Sequence, residues 1–164
     1  MKVVFVHPHG SNWMGSQKDI TSIFNLMPPL GLMSIAAYLE ERGVEVEIID
    51  CYGTSAGIDE LAADIVARCP DTVGFSCTTS CFLEGYAIAE RLKDKDDGIN
   101  VVFGGAHASA VGPALLDVFP AIDYLVMGEG ELTFYELISS ARENVDSIPG
   151  VGYRLGGKGT LSSV

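Results

Sequence analysis

Short apolar runs alternate five times with longer stretches of helical period along this chain. The apolar runs fall at residues 3–6, 44–49, 72–76, 101–103 and 124–127. Most are β-branched and carry no polar interruption, as strands buried on both faces do. In the second run Glu45 and Glu47 alternate with Val44, Val46 and Ile48, which predicts a strand at a sheet edge. Between the runs, the period predicts helices at 31–42, 58–68, 82–93, 113–118 and 132–143. Leu32, Ile35, Ala36 and Leu39 share one face of the first helix, and Gly43 stands where a left-handed cap would end it. Regular βα alternation predicts a parallel sheet between helical layers. The expected fold is α/β, a Rossmann-like or flavodoxin-like three-layer sandwich with five parallel strands in the order 2-1-3-4-5. Residues 1–150 then form one domain. The tail, with five glycines between 149 and 160, predicts a hairpin (152–155 with 160–163) or the start of a linker over 151–164.

Small residues fill the loops after the last three strands: Ser76-Cys77-Thr78-Thr79-Ser80, Gly104-Gly105-Ala106-His107-Ala108-Ser109 and Gly128-Glu129-Gly130-Glu131. In a parallel sheet these loops emerge at one edge, where a ligand can approach the backbone along a long front. The row suits a large flat or elongated ligand better than a single phosphate. The first strand is followed by a loop of about twenty residues, against the 2–6 usual for a βα connection. It holds His7, His9, Trp13 and Met14 and ends in Pro28-Pro29-Leu30-Gly31. Such a loop is either functional or a mobile excursion.

Composition narrows the partners. Ten Lys and Arg stand against 22 Asp and Glu, a net charge of −12, which disfavours nucleic acid. No apolar stretch approaches the ~18 residues of a membrane span. Lys2 is followed by four apolar residues before His7-Pro8-His9, so no secretory leader is expected. The four cysteines then read as thiols of a cytoplasmic protein, with Cys69 and Cys81 as small core residues.

Each motif has a structural alternative. The glycine pair Gly104-Gly105 serves a tight strand-to-helix turn or close ligand approach, and His107 a ligand-facing donor or a helix cap. A helix dipole alone accounts for Glu129 and Glu131, so no catalytic residue is assigned. His7 and His9 lack neighbouring carboxylates or thiols, so no metal site is expected; nor does the cysteine spacing fit an iron–sulfur site. The G-x-G-x-x-G dinucleotide loop and the Walker loop are absent.

Pro28-Pro29-Leu30-Gly31-Leu32, Asp50 ending the second strand, the Gly104–Ser109 segment and Gly128-Glu129-Gly130-Glu131, in this order on five βα units, carry a family resemblance. The chain resembles the N-terminal cobalamin-binding domain of radical S-adenosylmethionine (SAM) enzymes, the group containing anaerobic magnesium-protoporphyrin IX monomethyl ester oxidative cyclase and cobalamin-dependent methylases. The resemblance implies cobalamin held against the carboxyl edge of the sheet. It places Ser76, Cys77, Thr78, Thr79, Gly104, Gly105, His107 and Ser109 along the nucleotide tail or lower corrin face. Gly128, Glu129 and Gly130 would border the tail pocket, and Pro8, His9, Pro29, Leu30 and Gly31 the ring. Trp13, Met14 and Met33 could supply apolar walls. The Asp-x-His-x-x-Gly motif that supplies a cobalt-ligating histidine in methionine-synthase-type domains is absent. So is the Cys-x-x-x-Cys-x-x-Cys cluster site, which in the family lies C-terminal to this domain. The resemblance thus implies a radical SAM domain as partner, carrying SAM and a [4Fe-4S] cluster and acting on a small molecule by methyl transfer or oxidative cyclisation, as in tetrapyrrole biosynthesis. The isolated domain is expected to have no turnover. Two rival readings stay open, a cofactor-free scaffold of the same fold and a flavin- or nucleotide-binding flavodoxin-like module.

Overall fold

The computed structural model describes residues 1–10, 28–54, 56–140 and 144–162. Five parallel strands form the centre: β1 (Lys2–His7), β2 (Glu45–Asp50), β3 (Thr72–Ser76), β4 (Asn100–Gly104) and β5 (Tyr124–Val126). Helices α1 (Leu30–Glu40), α2 (Ile58–Ala67), α3 (Phe82–Lys95), α4 (Ala106–Val111), α5 (Ala114–Val118) and α6 (Glu131–Ser139) connect and flank them. The sheet order is 2-1-3-4-5, as the alternation predicts, with β2 at the edge. It does not stop there. β6 (Val151–Leu155) pairs antiparallel with β5, and β7 (Lys158–Leu161) with β6, giving seven strands in all. The expected hairpin therefore extends the five-stranded sheet. Residue 163, the predicted end of its second strand, lies outside the described residues, as do 141–143, the predicted end of the last helix.

Strand period divides the core. Val4, Val6, Val73, Phe75, Val101, Phe103 and Leu125 face α2, α3, α4 and α5. Val3, Phe5, Val102 and Val126 face α1 and α6 on the opposite side. Gly74, Ser76 and Gly104 fall on that second face by the same alternation. Two local readings need correction. The fourth crossover contains two short helices, not one, because Gly112, at φ +74°, breaks the run between α4 and α5. Cys69 is exposed and sits at φ 53° just after α2, so it is no core residue. Cys81 is buried as expected, and Gly43 takes φ +77°.

Two side chains help hold the hairpin: Asp117 accepts from the Gly159 N–H at 2.6 Å, and Arg154 reaches back to the α5–β5 segment. The Arg154 guanidinium donates to the carbonyls of Leu116, Phe119 and Ile122 at 2.6–3.2 Å, caring for the open C-terminal end of α5. Gly159 lets β7 lie against the same element: a Cβ there would stand 2.0 Å from the Pro113 carbonyl oxygen.

Candidate cofactor cleft

The missing side chain of Gly74 makes room for two phenylalanine rings on the sheet face between α1 and α6. A Cβ at this position would lie 2.6 Å from the Phe5 ring and 3.2 Å from that of Phe134. Those rings stand 5.0 Å apart and tilted, walling a cleft of about 150 Å³. Val102 and Val126 continue its floor, while Gly31, Leu32 and Ile35 of α1 form one bank and Gly130 and Glu131 the other. The cleft opens at the carboxyl edge of the sheet, where Ser76, Gly104, Gly105, Gly128 and Glu129 form its mouth.

Backbone geometry makes the mouth a glycine site. Gly105 has φ +87°, and a Cβ would come 2.9 Å from both the N and O of Cys77. Gly128 has φ +80°. Gly31 differs from both. Its φ is ordinary and a Cβ would meet nothing within 4 Å among the described residues, so none of them accounts for a glycine in the first turn of α1. Open space beside it belongs to the cleft mouth.

Polar groups are few. Among the described residues, Ser76, Glu129 and Glu131 are the polar side chains lining the cleft, with no Lys, Arg or His beside them. Glu131 accepts a 2.6 Å hydrogen bond from Ser34 across the α1–α6 gap. That bond, helped by main-chain N–H groups at the start of α6, holds its carboxyl below the usual range.

The sequence-predicted residues divide between two places. Gly31, Ser76, Gly104, Gly105, Gly128, Glu129 and Gly130 line the cleft. Pro29 is the N-cap of α1, and Leu30 beside it is 67% exposed. Ser109 accepts a hydrogen bond from the Gly128 N–H at 3.1 Å, tying the fourth loop to the fifth. The others gather at the same edge on the α3 side. Thr79 Oγ1 lies 3.1 Å from His107 Nδ1, and the His107 ring rests on Phe82 at 4.3 Å. Burial holds His107 below the ordinary histidine range. Pro8 is buried near Gly85 of α3, and His9 stacks on Tyr52 at 4.6 Å. The Cys77 thiol is in the core; its main chain pairs with Gly104 and His107 at 3.1 and 3.0 Å, lacing the third loop to the fourth. Thr78 contacts Ser80 and Cys81. Met33 is 46% exposed on α1, and Trp13 and Met14 lie outside the described residues. Among the described residues, no group of three or more His, Cys, Asp or Glu is placed to hold a metal ion.

The cleft floor escaped the sequence reading. Phe5, Gly74, Val102, Val126 and Phe134 look like ordinary core in the chain. The available signal is Gly74 itself, a glycine inside an otherwise β-branched and aromatic central strand, which marks close approach by another group.

Such a glycine-lined, mostly apolar cleft at the carboxyl edge of a parallel sheet defines a cofactor-binding α/β module. Residues 18–138 match the B12 binding domain family, and the chain belongs to that family. It is 37% identical over 134 residues to an uncharacterized methyltransferase of Pyrococcus horikoshii, covering 80% of this chain and 29% of that protein. It is 28% identical over 141 residues to the anaerobic magnesium-protoporphyrin IX monomethyl ester cyclase of Rubrivivax gelatinosus, covering 85% of this chain and 24% of that one. The fold matches the radical SAM methyltransferase TsrM of Kitasatospora setae with a TM-score of 0.77 and 23% identity, over 98% of this chain and 30% of TsrM. The chain thus spans less than a third of the length of these proteins.

Proposed function

We propose that this chain binds cobalamin at the carboxyl edge of its sheet, with the nucleotide tail in the cleft, and serves a radical SAM enzyme of which it is one domain. The single observation that carries the reading is the apolar cleft at the carboxyl edge, where among the described residues nothing fills the space a side chain at Gly31 would take. A cleft near 150 Å³ with aliphatic and aromatic walls is of a size to take an aromatic ring, which is what the heterocyclic base of the tail supplies.

The residues fit the rest of the group. The corrin carries a fringe of amides, and Ser76, Glu129 and the main chain at Gly104, Gly105 and Gly128 offer partners for them. Apolar side chains at the first turns of three helices rim the same edge: Leu30 and Met33 on α1, Leu83 on α3 and Leu132 on α6 are all exposed. A broad apolar ring, and the second domain closing over it, would cover them. When bound, cobalamin supplies methyl-transfer or redox chemistry; this chain supplies binding, orientation and exclusion of water.

In the whole protein the radical SAM domain would hold the cluster and SAM, and the small-molecule substrate would bind between the two domains. The relatives' names favour methyl transfer or ring cyclisation.

The test is an anaerobic titration of the purified chain with hydroxocobalamin, followed by its visible spectrum and by retention through a desalting column. One retained equivalent is expected. No retention, by this chain and by the full-length parent alike, would sink the reading.

A further inference from the structure

We infer that the cleft floor selects among corrinoids by their lower base, accepting dimethylbenzimidazole and discriminating against purines such as adenine. This rests on the placement of the tail proposed above.

The floor consists of Phe5, Gly74, Val102, Val126 and Phe134, and none of these side chains donates or accepts a hydrogen bond. The main chain offers nothing in exchange. Phe5 pairs with Gly74, Gly74 with Val102, and Val102 with Tyr124 in successive parallel ladders, so the N–H and C=O groups at this depth are committed to neighbouring strands. The cleft's polar side chains all stand at the mouth or on the α6 bank, and of these Ser76 has no hydrogen-bond partner among the described residues.

Chemistry at the floor then decides between bases. Dimethylbenzimidazole presents a hydrocarbon edge with two methyl groups and a single acceptor nitrogen, a demand that one hydroxyl such as that of Ser76 can meet. Adenine presents several ring acceptors and an exocyclic amine with two donors. Those that face Phe5, Val102 and Phe134, away from Ser76, Glu129 and Glu131, lose water and gain no partner. An apolar floor rejects such a base more strongly than it distinguishes two apolar ones of similar size.

The experiment compares three probes on this chain: hydroxocobalamin, its analogue with adenine as the lower base, and cobinamide, which has no tail. Cobalamin is expected to bind most tightly, with the adenine analogue roughly ten- to a hundredfold weaker. The isosteric variant Val102→Thr, which puts a hydroxyl on the floor, is expected to narrow that ratio. Equal binding of the two tailed corrinoids, both above cobinamide, would overturn the selectivity and leave the tail site standing. Equal binding of all three would overturn the inference and the tail site together, while corrinoid binding survives. Retention of none by this chain would overturn the inference, and of none by the full-length parent as well would overturn the proposed function.

Discussion

Glycine does different work at positions that look alike in the sequence. At Gly105 the positive φ and the 2.9 Å approach to Cys77 leave no room for a side chain, so Gly105→Ala should lower stability by more than ~1 kcal/mol in urea unfolding. Gly31 has neither constraint. Gly31→Ala should leave stability unchanged or raise it by up to ~1 kcal/mol, since alanine is the better helix former, yet weaken cobalamin about tenfold by crowding the mouth. Equal cobalamin affinity in the two forms would remove Gly31 from the site. The small-residue row was legible in the chain because glycine, serine and alanine cluster after three successive strands. What stayed hidden is which glycine serves the turn and which the ligand, since that depends on neighbours far away in sequence. Residue chemistry also sets an alkaline limit. Burial, with the charges of Glu84 and Asp50, pushes the Cys51 thiol up to about 12. An unfolded thiol titrates near ~8.5. Between these values the native state keeps a proton that the unfolded chain has lost, so stability is full below the window and falls as pH rises through it. Urea midpoints should drop from pH 8 to pH 10, and less steeply in Cys51→Ala; identical slopes would contradict this.

Helices and strands obeyed their periods, and their ends obeyed local chemistry. The five parallel strands and their order followed from hydrophobic alternation, and the edge position of β2 from its two alternating glutamates. The added strands β6 and β7 were visible as a hairpin but not as sheet members, because what docks them is tertiary. Arg154 reaches three carbonyls at the end of α5, more than thirty residues away, and Gly159 fits under the Pro113 carbonyl. Arg154→Ala should cost ~2–3 kcal/mol by leaving those carbonyls without a charged donor. Arg154→Lys should recover only part of the loss, since an ammonium cannot span three acceptors with a planar fork. Full recovery in the lysine variant would show that charge alone matters.

On the scale of the whole molecule, two surfaces differ in character. Net charge is −12, which sets a solvated, acidic exterior. The carboxyl edge of the sheet is instead rimmed by exposed leucines at helix starts and split by the apolar cleft. Among the described residues no helix is long and apolar enough to cross a membrane. The chain spans less than a third of its relatives. The proposed function predicts no turnover by this chain alone supplied with methylcobalamin and SAM; methyl transfer by the chain alone would contradict it.

Amide hydrogen exchange of the chain with and without one equivalent of hydroxocobalamin reads the central claim most directly, because it locates the ligand as well as detecting it. Slower exchange is predicted at the loops and helix starts around residues 104–107, 128–134 and 31–35, with the hairpin at 151–161 unchanged. Protection elsewhere, or none at these three segments despite retained cobalamin, would contradict the assignment of the cleft.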